Sequence, residues 1–407
     1  MKMVKINSTN LLSTYQTKRK GNYSFKNNSH LHLWFPDIFE FKGGIQVYSA
    51  FLLEALQILY PNIKYDVFLK HDTCCSPNFS GVLNTQFYFT GKWYKTLRTV
   101  AFATQIFKHG IWLRPNLIIS SHLNFTVVAY LLKRLTGVPY WTVAHGIDAW
   151  NITNPILKTA LYHADRIISV SSYTRDRLLQ EQNLDPDKVS LLPNTFDTSR
   201  FKITSKPTYL LERYRLKPKQ PVILTVARLS SDDGYKGYDK IIQALPKIKS
   251  QVPDIHYILA GKGDDRTRIE ELIAQLNLQE CVTLAGFIPD RELCDFYNLC
   301  DVFAMPSRGE GFGIVYLEAL ACGKPTVGGN QDGAIDALCH GELGALVDPL
   351  DVDAIAQTLI QILQGTYPNP LIYQPEALRQ KAIDKFGFEQ FKQTLTKLMH
   401  HFFAIPE

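Results

Sequence analysis

The chain has 407 residues, 45% of them hydrophobic and 20% charged, with a formal net charge of +6, which is long enough for two α/β domains that each bury a sheet. No apolar run reaches the ~18 residues a membrane span needs, the first 30 residues lack the apolar core of a signal peptide, and seven cysteines without framework spacing indicate a reducing, cytoplasmic setting. The charge is uneven: 21 Lys and Arg face 11 Asp and Glu up to Thr195, and 23 face 27 beyond it, so the front half is expected to meet an anionic partner.

Residues 1–30 read as a polar tail whose one charge run is Lys18-Arg19-Lys20. Leu31 to Phe35 is an apolar strand, the Gly43-Gly44 turn follows, and from Ile45 to Leu59 apolar residues recur at helical spacing. Tyr65 to Leu69, Gln86 to Phe89 and Leu117 to Ser120 read as further strands. Between the last two, Trp93, Tyr94, Phe102, Phe107 and Trp112 interleave with Lys92, Lys95, Arg98, Lys108 and Arg114. That pattern suits a helix lying in a membrane interface, and equally a helix that turns its aromatics inward while its lysines snorkel. Thr126 to Leu135 is a helix stopped by Gly137. The strand Pro139 to Val143 leads into Ala144-His145-Gly146-Ile147-Asp148, a histidine where parallel sheets hold ligands. After the strand Ala164 to Ser169, the Ser171-Ser172 pair caps a helix. Pro193-Asn194-Thr195-Phe196-Asp197 closes a first domain of residues 31–197, and the lysine- and proline-bearing stretch 198–220 reads as a linker.

A second domain, 221–385, opens with the strand Pro221 to Leu229, which carries Arg228 near its end; Lys236-Gly237 lies in the loop before the helix Tyr238 to Leu245. The strand Tyr257 to Ala260 ends in Gly261-Lys262-Gly263-Asp264-Asp265-Arg266. Arginine in place of a third glycine, on a strand that is not the domain's first, excludes a dinucleotide fingerprint. Val282 to Ala285 precedes Gly286-Phe287, and Asp290 to Asn298 is a helix. The strand Asp301 to Met305 then runs into Ser307-Arg308-Gly309-Glu310-Gly311-Phe312-Gly313, and a helix begins near Ile314 and stops at Gly323 with a left-handed cap. The three glycines let a ligand approach the main chain. The amides of Ile314 and Val315 have no intrahelical acceptor and favour a phosphate. Glu310 and Glu318, about one turn into the helix, suit a ligand with hydroxyls on both sides of its phosphates, as in a nucleotide sugar. The loop Asn330 to Asp336 is assigned no role. Helices Ala354 to Leu363 and Phe388 to Phe403 finish the chain.

With Glu310-x7-Glu318, the Gly-Phe-Gly insert and the Ala321-Cys322-Gly323-Lys324-Pro325 stop in place, the chain resembles the retaining, nucleotide-sugar-dependent glycosyltransferases of glycosyltransferase family 4, densest from Val222 to Val327. The resemblance implies the GT-B fold, an α/β architecture of two Rossmann-like domains facing a cleft, with residues 386–407 crossing back to the N-terminal domain. It implies that Arg228, Lys236 and the amides at Ile314 and Val315 hold the diphosphate, within a donor site formed with Gly311, Phe312 and Gly313. Glu318 would take the ribose and Glu310 the sugar hydroxyls. His145 would orient the sugar from across the cleft, Gly43-Gly44 would close over the donor, and the backbone beside Phe287 would read the base. Lipid-glycosylating members carry their membrane contact in the first domain.

Metal chemistry is not expected. Asp185-Pro186-Asp187 and Asp351-Val352-Asp353 match Asp-x-Asp but read as caps, Asp232-Asp233 and Asp264-Asp265 form no defined cage, and no Cys/His group has zinc spacing. The expected reaction is transfer of a hexose, from GDP-mannose or a UDP-sugar, to a lipid or oligosaccharide hydroxyl, with no essential cofactor, no double-displacement nucleophile and no nucleic-acid partner, in the cytoplasm at the inner face of a membrane. A nucleotide-sugar epimerase of the same fold and a non-catalytic nucleotide-sugar-binding protein are the alternative readings.

Overall fold

The computed structural model describes residues 29–40, 43–75 and 84–403, apart from the side chains of residues 232, 233 and 401–403. The expected tail with Lys18-Arg19-Lys20 therefore lies outside the described residues, except for Ser29 and His30, as do the side chains of Asp232-Asp233. The chain divides into two compact units. One holds the described residues up to Val143, Thr153–Ile167 and the residues from Thr396; the other holds Ala144–Ile152 and Ile168–Leu395.

The front strands are β1 His30–Phe35, β2 Lys64–Leu69, β3 Thr85–Phe89, β4 Leu117–Ser120, β5 Tyr140–Ala144, β6 Arg166–Ser169 and β7 Val189–Leu191, in the sheet order β3-β2-β1-β4-β5-β6-β7. The pairs β1 with β2 and β4, β2 with β3, and β4 with β5 run parallel. β4 is wholly buried, which is why it reads as a continuous apolar run in the sequence; β1 is nearly so, but carries His30 and His32 among its apolar residues.

The second unit carries β8 Val222–Val226, β9 His256–Ala260, β10 Val282–Gly286, β11 Val302–Met305, β12 Thr326–Gly329 and β13 Ala345–Val347, ordered β10-β9-β8-β11-β12-β13 and parallel at every pairing. The order reverses between β8 and β11. Loops leaving the carboxyl ends of those two neighbours meet at a crevice where parallel sheets bind ligands. The loop after β8 carries Arg228 and Lys236, and the loop after β11 carries residues 306–313.

The helix expected to end at Leu245 continues to Gln251 through Pro246. Proline removes one backbone hydrogen bond and costs about 3 kcal/mol in a helix interior. The stripe Ile241, Leu245 and Ile248, fully buried on both sides of it, outweighs that cost. β13 has only three residues, too few for a periodicity to be legible. The stretch 198–220 is not featureless, because Thr208–Arg213 is helical and buries Leu210 and Leu211. The helix Ile314–Ala321 ends as expected: Gly323 has φ +68°, its N–H donates to the carbonyl of Leu320 at 2.9 Å, and the N–H of Lys324 donates to that of Ala319 at 3.1 Å, the paired bonds of a Schellman motif.

Candidate active site

β11 delivers the chain to the crevice as a fully buried strand. The loop that follows is fixed by a carboxylate. Asp332, fully buried just after β12, accepts at Oδ2 from Ser307 Oγ at 2.6 Å and the amide of Glu310 at 2.7 Å, and at Oδ1 from the amide of Ala334 at 2.9 Å. Burial pushes its carboxyl up to about 6, against the pull of these three donors. The amide of Gly333 donates back to the carbonyl of Glu310 at 2.8 Å. The sequence reading gave this loop no role, and that is corrected here: Asp332 holds the glycine loop. Asp336 accepts from the amides of Ser172 at 3.1 Å and Tyr173 at 3.0 Å, so it caps the helix Ser172–Gln182. An aspartate before glycine at a strand end was the available signal, but two of its three donors, Ser307 and Glu310, are more than twenty residues away in sequence.

Two of the glycines are required by geometry. A Cβ on Gly311 would lie 1.5 Å from the carbonyl oxygen of His145. Gly313, at φ +88°, starts the helix Ile314–Ala321 from a left-handed conformation. Phe312 between them is 1% exposed and packs edge-on against Phe386, with ring centroids 5.4 Å apart. What Phe312 offers a ligand is therefore its main chain.

The structure brings Lys236 and Glu310 together as an ion pair whose side chains are 12% and 16% exposed. The Lys236 ammonium also stands over the Tyr235 ring, 5.1 Å from its centroid. The carbonyl of Tyr235 accepts from the amide of Arg308 at 2.9 Å, which joins the loops after β8 and β11 directly. The two residues had been assigned to different parts of a ligand; here they are one unit. Glu318 accepts from the buried Tyr297 hydroxyl at 2.7 Å, so one carboxylate oxygen is oriented from behind. Arg228 is exposed two residues beyond β8, and Phe287 stands 65% exposed beyond β10 with the Lys262 ammonium 5.5 Å from its ring centroid.

His145, expected to act from the front domain, belongs to a loop that clusters with the second unit. Its amide donates to Asp148 Oδ1 at 3.0 Å, while Asp148 Oδ2 is buried without a hydrogen-bond partner. Burial pushes the Asp148 carboxyl up to about 7, although the neighbouring amides pull it down. In the first unit, Gly43 is the extended N-cap of the helix Gly44–Leu59, and Gly44 faces open space. Asp185 and Asp351 are caps, accepting from the amides of Asp187 at 3.0 Å and Ala354 at 2.9 Å.

The model of group 1 glycosyl transferases matches residues 210–383, and that of glycosyltransferase family 4 matches residues 42–200. A GDP-mannose-dependent alpha-(1-6)-phosphatidylinositol monomannoside mannosyltransferase of Mycolicibacterium smegmatis is 36% identical over 269 residues, covering 63% of this chain and 68% of the relative. Among solved structures, sucrose-phosphate synthase from Thermosynechococcus elongatus superposes with a TM-score of 0.74 at 22% identity over 92% of this chain and 99% of that one. Anabaena HepE in complex with UDP superposes with a TM-score of 0.71 at 20% identity over 92% of this chain and 100% of that one. These two share the fold, which is GT-B.

Asp332→Ala leaves Ser307, Glu310 and Ala334 without their acceptor, at about 1–3 kcal/mol for each donor that stays buried. It is expected to lower stability by a few kcal/mol and weaken nucleoside-diphosphate binding at least about tenfold by calorimetry; unchanged affinity in the folded variant would show that the loop does not depend on this carboxylate. Asp148 gives a pH signature. Its folded value lies above the ordinary 3.8, so between about pH 4 and 7 the native state binds the proton more tightly than the unfolded chain, and stability falls as pH rises through that window. Denaturant unfolding should show Asp148→Asn gaining on the wild type from pH 4 to 7 and running parallel to it above.

Proposed function

The chain belongs to the group 1 glycosyltransferases of glycosyltransferase family 4, and on that premise we propose a retaining, metal-independent hexosyltransferase that moves mannose from GDP-mannose onto a glycolipid hydroxyl. The observation that carries this reading is the Lys236–Glu310 pair set beside the amino end of the helix Ile314–Ala321. A diphosphate meeting that corner finds a cation already oriented, free amides at Ile314 and Val315, and Arg228 just beyond β8. These fixed charges stabilise the leaving pyrophosphate electrostatically, as a metal would elsewhere. Glu310, held by its own amide on Asp332, is presented to sugar hydroxyls, and Glu318, oriented by Tyr297, to the ribose. Acceptor attack on the face the diphosphate leaves, through a short-lived oxocarbenium-like ion pair, gives retention without a protein nucleophile.

Mannose and a lipid acceptor are supported by the mycobacterial relative, whose name gives GDP-mannose as donor and a phosphatidylinositol mannoside as acceptor. The UDP bound by HepE supports a UDP-hexose as the second reading. A lipid acceptor is also supported by the helix Lys95–Leu113. Phe102 and Ile106 face inward, while Trp93, Tyr94, Leu97 and Val100 are 53%, 83%, 52% and 63% exposed beside Lys92 and Lys95. Among the described residues, no helix is long and apolar enough to cross a membrane, so contact would be made at the interface.

Thermal-shift measurements with GDP, UDP and ADP, without added Mg2+ or Mn2+, should show stabilisation by GDP, approaching about 2.7 kcal/mol at a hundredfold excess over Kd. The shift should be lost in Lys236→Ala and reduced in Glu318→Gln. Stabilisation by UDP alone would replace the donor; the absence of a shift with every diphosphate in folded protein would remove the transferase mechanism described here. Transfer that requires added Mg2+ or Mn2+ would overturn the metal-free leaving-group step. In flotation with anionic vesicles, Lys92→Gln/Lys95→Gln should lower partitioning roughly thirtyfold, from about 1 kcal/mol per cation; equal flotation would exclude this face as the contact.

A further inference from the structure

β1 begins with His30-Leu31-His32, so the two histidines project from the same face of the strand. In the parallel register His32 lies opposite Asp66 and His30 opposite Lys64 on β2, which places the carboxylate on that face too. His30 Nε2 and His32 Nε2 are 3.0 and 3.5 Å from Asp66 Oδ2. One ligand atom from each of the three residues lies within 4.8 Å of the others. Two donors bound to one tetrahedral zinc at about 2.0–2.1 Å stand roughly 3.3 Å apart, so the three need little movement to share an ion.

The polar atoms here are otherwise unsatisfied. His30 Nε2, both ring nitrogens of His32 and both oxygens of Asp66 are buried without a hydrogen-bond partner; their close polar contacts are with one another and with Lys64. His32 and Asp66 are fully buried, and the His30 side chain is 14% exposed. Lys64 Nζ, 3.8 Å from Asp66 Oδ1 on a side chain 54% exposed, only partly offsets the buried charge. Buried polar groups left unpaired keep their full desolvation penalty, which a shared cation would recover.

We propose that His30, His32 and Asp66 form a binding site for one zinc-like divalent transition-metal ion, tying the start of the interior strand β1 to β2. Two imidazoles and one carboxylate suit zinc and its transition-metal neighbours rather than magnesium or calcium, which take all-oxygen shells. His30 lines a surface cavity of about 510 Å³ that also presents Lys64 and Arg114, and this is the side from which a water or small anion completes the coordination. The Phe68 ring, 5.2 Å from that of His32, walls the inner side. The amide of His30 donates to Asn116 Oδ1 at 2.8 Å, which fixes the strand end that carries the first ligand. Parallel strands place their ligand-binding loops at the carboxyl end, and this site lies at the amino end, so its role is structural and separate from sugar transfer.

The test uses the full chain, dialysed against a chelator and titrated with Zn2+ by calorimetry and with Co2+ by visible absorption. One equivalent is expected, with the intense d–d bands of tetrahedral Co2+ and a Zn2+-dependent rise in Tm. Asp66→Asn and His32→Ala should lose the equivalent, and His30→Gln should weaken it at least about tenfold, since even outer-shell partners are worth 10–100-fold. If His32→Ala does not fold, His30→Gln at the cavity rim carries the comparison. Folded wild type that binds no Zn2+, or variants that bind it undiminished, would overturn the site.

Discussion

The geometry of the second unit's crevice depends on one buried carboxylate. Asp332 gathers Ser307 and Glu310 from the loop after β11 and Ala334 from its own loop after β12. Without that acceptor the loop after β11 would be a glycine-rich tether with many conformations, and glycine loses the most entropy on being fixed. With it, Gly311 is held close enough to the His145 carbonyl that no side chain fits between them, and Gly313 enters the helix at a set angle. The elevated carboxyl of Asp332 records what burial costs; its three donors keep that cost tolerable.

The pairing of Lys236 with Glu310 follows from the same fixed loop. At 12% and 16% exposure, neither charge could remain there alone without a desolvation penalty. Each supplies the other's compensation in a position where free lysine and glutamate side chains would turn toward water. For the proposed donor this is preorganisation: the cation does not have to be recruited from solvent when negative charge develops on the leaving group. A lysine held in this way also differs from a bound metal, because its charge is fixed by the chain and does not depend on ion concentration.

How much of this was legible in the sequence varied with the range of the interaction. The strand leading to Met305, the glycine spacing and the Gly323 stop are local, and each appears where the residues put it. Wholly buried strands such as Leu117–Ser120 and Val302–Met305 were legible because burial gives them unbroken apolar runs, whereas the three-residue strands β7 and β13 were not. The helix through Pro246 was cut short because a local rule was applied where tertiary burial decides. Asp332 and the Lys236–Glu310 contact depend on loops from different strands meeting, which no spacing along the chain records. His30, His32 and Asp66 were missed for the same reason: two of them are alternate residues on one strand, and the third is supplied by the register of another.

The two ends of a parallel strand face different demands. At the carboxyl ends of β8 and β11 the backbone leaves the sheet in loops that have to stay open to a ligand, so their order comes from a few buried polar contacts such as Asp332. At the amino end of β1 no loop needs to open, and a residue there can be fixed outright. Yet His30, His32 and Asp66 put titratable groups at that end, beside Phe68 and the His109 ring that packs on it, where a purely packing solution would have used apolar residues. A histidine and an aspartate that are both fully buried, beside a second histidine at a polar cavity, are costly as packing and economical as ligands. That asymmetry, more than any single distance, separates the cluster from an ordinary buried ion pair.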